Sequence, residues 1–236
     1  MVGGLVERDR VRDLFRRHVG IDVARQALDG GAELSGEVRF AAVLFIDLVG
    51  STQLAANRPP EEVAEVLNAF FRTVVDAVDQ GGGLINKFQG DAALAVFGAP
   101  LAMDAAASAA LRTARQLETR LHDLSSVDFG VGVSAGQVFA GNIGAENRYE
   151  YTVIGDAVNE AARIADLAKS SDARILASSA ATDDADSDER ARWAAHGSTI
   201  LRGRNEPTHL MAPHTTDGGP PPAAYGGFDC GPPFSS

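Results

Sequence analysis

Apolar residues recur with two different periods along this chain, and the alternation between them predicts a mixed α and β domain. Between residues 5 and 29, Leu5, Val11, Leu14, Phe15, Val23, Ala24, Ala27 and Leu28 fall at near-helical spacing among many charges, ahead of Gly30-Gly31. One or two amphipathic helices are expected there. From Glu37 to Asp47 the apolar run VRFAAVLFID is bounded by turn residues and reads as a buried strand. Pro59-Pro60 then opens a helix, because proline is favoured at the first helical position. Its face is Val63, Val66, Leu67, Phe70, Phe71, Val74 and Val78, and Gly81-Gly82-Gly83 stops it.

The segment LINKFQGDAALAVFGAP predicts two short strands joined by a tight turn at Gln89-Gly90-Asp91. A second amphipathic helix is expected over 103–124 through Leu111, Ala114, Leu117 and Leu121. Strands follow at Phe129–Ser134, around Val138 and Phe139, and at Tyr149–Ile154. A helix from about Gly155 to Ala168, a strand at Arg174–Ala177 and a last pair within 198–212 complete the pattern. The order βαββαβ is the ferredoxin-like arrangement, so the fold class is α+β. The chain thus divides into an N-terminal helical segment (1–37), a core (38–212) and a Gly/Pro-rich tail (213–236) expected to be disordered.

Composition narrows the function. Of 236 residues 45% are hydrophobic, enough for a substantial core. A net charge of −11 argues against a nucleic-acid binder, which needs a basic face. A small anionic substrate stays open, since metal ions override the mean field. The single cysteine, Cys230, excludes a disulfide framework and suits a reducing, cytoplasmic setting. No apolar run is long enough to span a bilayer, so no membrane contact by this chain is expected, although a membrane-anchored parent protein is compatible with it. His18, His122, His196, His209 and His214 show no metal-ligand spacing.

Asp47 ends a buried apolar strand, where a carboxylate is costly unless its charge is compensated. A helix cap or turn aspartate is the commoner explanation for such a residue alone. Gly50, Ser51 and Thr52 follow it and offer backbone N–H groups at a helix start, a cradle for phosphate oxygens. Asp91 after Gly90 is ordinary turn chemistry by itself. The ferredoxin-like topology makes the first strand and this hairpin neighbours, and two carboxylates brought together favour shared magnesium or manganese. Asn159 and Arg163 are four residues apart on one helix face. A neutral donor beside a guanidinium suits a triphosphate undergoing displacement. On spacing alone, a solvated face with Glu160 as partner explains them better.

FIDLVGST, NKFQGDAALAVFG, VGVSAGQVFAGNIG and YTVIGDAVNEAAR, taken together and in this order, resemble the successive motifs of class III adenylate and guanylate cyclases over roughly residues 38–212. The resemblance implies that Asp47 and Asp91, helped by the backbone of Leu48, bind two Mg2+ or Mn2+ ions per active site. It implies that Lys87 and Thr152 recognise adenine, that Asn159 and Arg163 stabilise the transition state, and that Arg202 in LRGRNEP grips the phosphate tail. ATP is the implied substrate, with two sites shared across a homodimer. Two departures stand out. Gly130 occupies a position that is basic in some members, and Thr152 replaces an aspartate common in adenylate cyclases. The helical segment LFRRHVGIDVARQAL resembles the linker that joins sensory modules to such cores, and a dimer-contacting role is expected for it. A guanylate cyclase and a non-catalytic nucleotide-binding regulator are the alternatives. A diguanylate cyclase is disfavoured, because no GGDEF-like run occurs.

Overall fold

The computed structural model describes residues 36–122, 127–145 and 148–214. The expected N-terminal helices and the expected disordered tail lie outside the described residues, apart from residues 36–37 and 213–214. The strands are β1 (Glu37–Val49), β2 (Leu84–Gln89), β3 (Ala92–Phe97), β4 (Asp128–Ala145), β5 (Arg148–Ile154), β6 (Ile175–Ser178), β7 (Trp193–Thr199) and β8 (Thr208–Pro213). The helices are α1 (Ser51–Asn57), α2 (Pro60–Gln80), α3 (Ala106–His122), α4 (Asp156–Ala168), α5 (Ser179–Asp183) and α6 (Ser187–Arg190).

All eight strands form one sheet in the order β2-β3-β1-β4-β6-β8-β7, and β5 pairs with β4. The first four strands, mutually antiparallel in the order 2-3-1-4, carry the expected ferredoxin-like connectivity. Successive residues of β1 face opposite ways, so each face meets its own layer. Ala42, Leu44, Ile46 and Leu48 join Phe70 and Val74 of α2 and Leu111 and Leu117 of α3 in one core. Ala41 and Val43 join Val153 of β5 and Ala157 and Ala161 of α4 in a second. This alternation explains why β1 reads as an unbroken apolar run: it is buried on both sides.

Two expectations need correction. The segment read as separate strands at 129–134 and 138–139 is one continuous strand, β4, because Ser134, Ala135 and Gly136 stay extended opposite Val43, Ala42 and Ala41 of β1. Gly136 and its neighbours all have ladder partners on β1, and no turn interrupts the strand. The final pair begins at Trp193 rather than 198, since β7 is anchored by that indole. Trp193 Nε1 donates to Glu189 Oε1 at 3.0 Å, and Arg115 of α3 closes on the same carboxylate with two hydrogen bonds of 2.8 and 2.7 Å. Glu189 is almost wholly buried, so its charge depends on Arg115. Arg115→Ala is expected to destabilise the domain by about 3 kcal/mol, read as a shift in urea midpoint. A shift equivalent to under about 1 kcal/mol would refute this account of the α3–α6 contact.

Candidate active site

β1 delivers Asp47 to the place where its ladder with β3 ends, at the pair Asp47↔Ala92, while pairing with β4 continues to Val49↔Asp128. Asp91 precedes Ala92 directly in the β2–β3 turn. The turn thereby holds Asp91 close enough for its charge to act on Asp47, in keeping with the neighbouring places that the topology predicts. The Leu48 side chain is buried on the opposite face, so only its backbone can serve the site. Gly50 has a left-handed φ of 74°, which turns the chain directly into α1. Ser51 and Thr52 form the first turn of α1, where the N–H groups have no intrahelical partner.

Asp47 is short of positive charge. Its Oδ2 accepts a hydrogen bond from Lys169 Nζ, while Oδ1 is buried with no hydrogen-bond partner. Burial pushes the carboxyl above the usual carboxylate range, and the Lys169 hydrogen bond and charge pull it only part of the way back. The nearby charges of Asp91 and Asp166 push it up again. An orphaned carboxylate oxygen beside a second carboxylate fits a hard divalent cation. Among the described residues no group of three or more His, Cys, Asp or Glu side chains gathers to hold a metal. The two aspartates suit magnesium or manganese that completes its coordination with water and substrate phosphates.

A second cluster forms where β2 meets β5. Asn86 Nδ2 donates to the Tyr151 carbonyl at 3.0 Å, and the Thr152 hydroxyl lies 3.4 Å from Asn86 Oδ1. Beside it, Lys87 Nζ pairs with Glu150 Oε1 at 2.6 Å. The structure thus sets Lys87 and Thr152 on neighbouring strands, each engaged by a different partner, Glu150 and Asn86, that their spacing in sequence does not reveal.

The third cluster is the start of α4 and the 200–207 loop. Asn159 is exposed, whereas Glu160 is buried. Glu160 accepts from Ser134 Oγ at 2.5 Å, from Thr208 Oγ1 at 3.0 Å and from Arg204. Arg204 also pairs with Asp156. Glu160 is therefore committed to the loop and is not the partner that Arg163 needs. With Arg204 fixing the loop, the Arg163 guanidinium lies beside Gly203, next to exposed Arg202. Helix rise places Asn159 and Arg163 roughly 15 Å and 9 Å along α4 from the level of Lys169, the residue that touches Asp47. Lys169, Arg204 and Glu150 were missed from spacing. One signal pointed to the first: the chain has two lysines, Lys87 and Lys169, and the fold uses both at these clusters.

A family model described as "Adenylate and Guanylate cyclase catalytic domain" matches residues 35–212. An uncharacterized protein of Mycobacterium tuberculosis is 54% identical over 215 residues, which is 91% of this chain and 38% of the relative. An uncharacterized protein of Mycobacterium bovis is 52% identical over 214 residues, covering 90% and 40%. The chain thus spans about two-fifths of the length of these relatives. Among solved structures, a bacterial light-regulated adenylyl cyclase superposes with a TM-score of 0.80 at 20% identity, over 89% of this chain and 62% of that one. The adenylyl cyclase CyaB from P. aeruginosa gives 0.70 at 24% identity, over 78% and 97%. The guanylyl cyclase Cya2 gives 0.63 at 30% identity, over 75% and 93%.

Proposed function

The chain belongs to the adenylate and guanylate cyclase catalytic-domain family, and from that premise we propose that it converts ATP to 3′,5′-cyclic AMP and pyrophosphate at two sites shared across a homodimer. The ribose 3′-oxygen forms a bond to the α-phosphorus, the bond from that phosphorus to the bridging oxygen breaks, and the hydroxyl proton leaves. Two magnesium or manganese ions held by Asp47, Asp91 and the Leu48 carbonyl would supply the acidity that makes this oxygen nucleophilic. The chain's own side chains do the rest. Lys87 and Thr152 hold the adenine edge. Asn159 and Arg163 steady the charge that develops at the α-phosphoryl group. Arg202 and the first turn of α1 take the terminal phosphates.

The observation that supports the ATP reading is the β2–β5 contact, which sets Lys87 and Thr152 on neighbouring strands, where an ammonium and a hydroxyl could meet ring nitrogen and exocyclic amine. Glu150 beside Lys87 favours a second reading, a guanylate cyclase, because guanine presents donors that a carboxylate accepts. Turnover with Mn2+ and either ATP or GTP separates the two by the cyclic product formed. Lys87→Glu should lower cyclic AMP formation about a hundredfold, since a buried base edge would face a mismatched group. Near wild-type turnover of ATP in that variant would remove Lys87 as the base reader.

The homodimer reading is supported by exposed apolar residues on β1, β2, β4 and β5: Val38, Phe40, Phe88, Ile143 and Ile154. It is supported also by the displacement of Asn159 and Arg163 from Asp47 along α4. Residues 1–37 would reinforce that dimer and residues 38–212 would carry the chemistry. Removing residues 1–36 should cut specific activity most at low protein concentration, where dissociation dismantles the sites. Specific activity that stays independent of concentration would show the segment to be passive. Among the described residues no helix is long and apolar enough to cross a membrane.

A further inference from the structure

Lys169 follows α4 directly and reaches across to β1, where its ammonium bonds Asp47 Oδ2. The contact is built by the backbone. Gly130 is the β4 partner of Asp47, and a Cβ there would lie 2.5 Å from the Ala165 carbonyl oxygen, 2.7 Å from Lys169 Cγ and 2.8 Å from Lys169 N. At Gly132 a Cβ would lie 2.1 Å from the Ala161 oxygen. Both glycines let α4 press onto the strand, and the Lys169 stem lies over the first of them.

The charges facing this ammonium are Asp47 and Asp166, with Asp91 beyond, close enough to act on Asp47. Asp166 Oδ1 stands 3.3 Å from Lys169 Nζ, one turn back on the helix, and gives the ammonium a second seat. The side chains of Lys169 and Asp47 are 26% and 17% exposed, so solvent reaches the pair and exchange is open. Lysine suits exchange: it is a compact, hydrated point charge on a flexible stem, whereas arginine would grip both carboxylate oxygens at once.

We propose that Lys169 is a resident counter-ion that holds the Asp47 carboxylate when no metal is bound, and that a divalent cation must displace it towards Asp166. This rests on the reading of Asp47 and Asp91 as metal ligands. Lys169 then sets the metal concentration at which the site fills. Its removal strengthens metal binding, since the cation no longer competes for Oδ2.

Two measurements on the nucleotide-free full chain test this. The first is Mn2+ binding, followed by loss of the free-ion electron paramagnetic resonance signal. Lys169→Met should bind Mn2+ about tenfold tighter than the parent, Lys169→Gln should follow it, and Asp47→Asn should abolish the binding. The second is acetylation of the two lysines by an N-hydroxysuccinimide ester, read by mass spectrometry. Mg2+ should raise the Lys169 rate several-fold relative to Lys87, which serves as the internal reference. Unchanged or weaker Mn2+ binding in both Lys169 variants overturns the proposal and leaves the metal ligands standing. So does an Lys169 acetylation rate indifferent to Mg2+ while Asp47-dependent Mn2+ binding occurs. If no Mn2+ binding depends on Asp47, the metal-ligand reading fails and takes this proposal with it.

Discussion

Asp47→Asn is expected to lower cyclase turnover about 1,000-fold while leaving the fold intact, and Asp91→Asn is expected to do the same. The size follows from what each carboxylate would do. Together they would hold the cations that neutralise a triphosphate and activate its attacking hydroxyl, a contribution of several kcal/mol. Stability is a separate matter. Asp47 is a strained asset in the free protein: burial pushes its carboxyl up, and one of its oxygens has no partner. Replacing it by a neutral amide of the same shape removes a poorly compensated charge, and the displaced Lys169 retains Asp166. Steady-state cyclic nucleotide formation and thermal melting, measured on the same preparations, check both halves. Activity above a few per cent of the parent, in a variant that melts normally, would show that the aspartate replaced in it does not hold a catalytic metal.

The second large effect belongs to α4. Asn159→Ala and Arg163→Ala should each lower kcat about a hundredfold or more with little change in KM, because they act on charge that appears only in the transition state. Asn159 is exposed in the single chain and Arg163 lies beside the Gly203 backbone. Neither is tied into the core, so truncation should not unfold the domain. A rise in KM with unchanged kcat would place them in ground-state binding instead.

The sequence made the scaffold legible where one physical signal dominated. The three- and four-residue spacing of Val63, Val66, Phe70 and Val74 has a single solution, a helix with one buried face. The run ending at Asp47 could be read as a buried strand because both of its faces are apolar. Legibility failed where a glycine's role depends on a neighbour distant in sequence. The gap left between the strands expected at 129–134 and 138–139 contains Gly136, and only the β1 register shows that it is extended. Gly130 reads as a missing cation, and only the packing of α4 shows that Lys169 fills the space above it. Glu160 looked like the natural partner of Arg163. It is held instead by Arg204, forty-four residues on, which no helical periodicity can reveal. The neighbourhood of Asp47 and Asp91 was readable because the strand order sets β1 beside the β2–β3 hairpin.

In the proposed homodimer the metal half of each site and the transition-state half come from different chains. Asp47→Asn and Asn159→Ala are each expected to be inactive alone. Co-expressed with distinct tags and purified as verified heterodimers, they place both lesions in one site and leave the other whole. Cyclic nucleotide formation by these heterodimers should return to about half of the parental rate per dimer, because one of two equivalent sites is intact. Heterodimers as inactive as either parent would contradict an active site built across the interface.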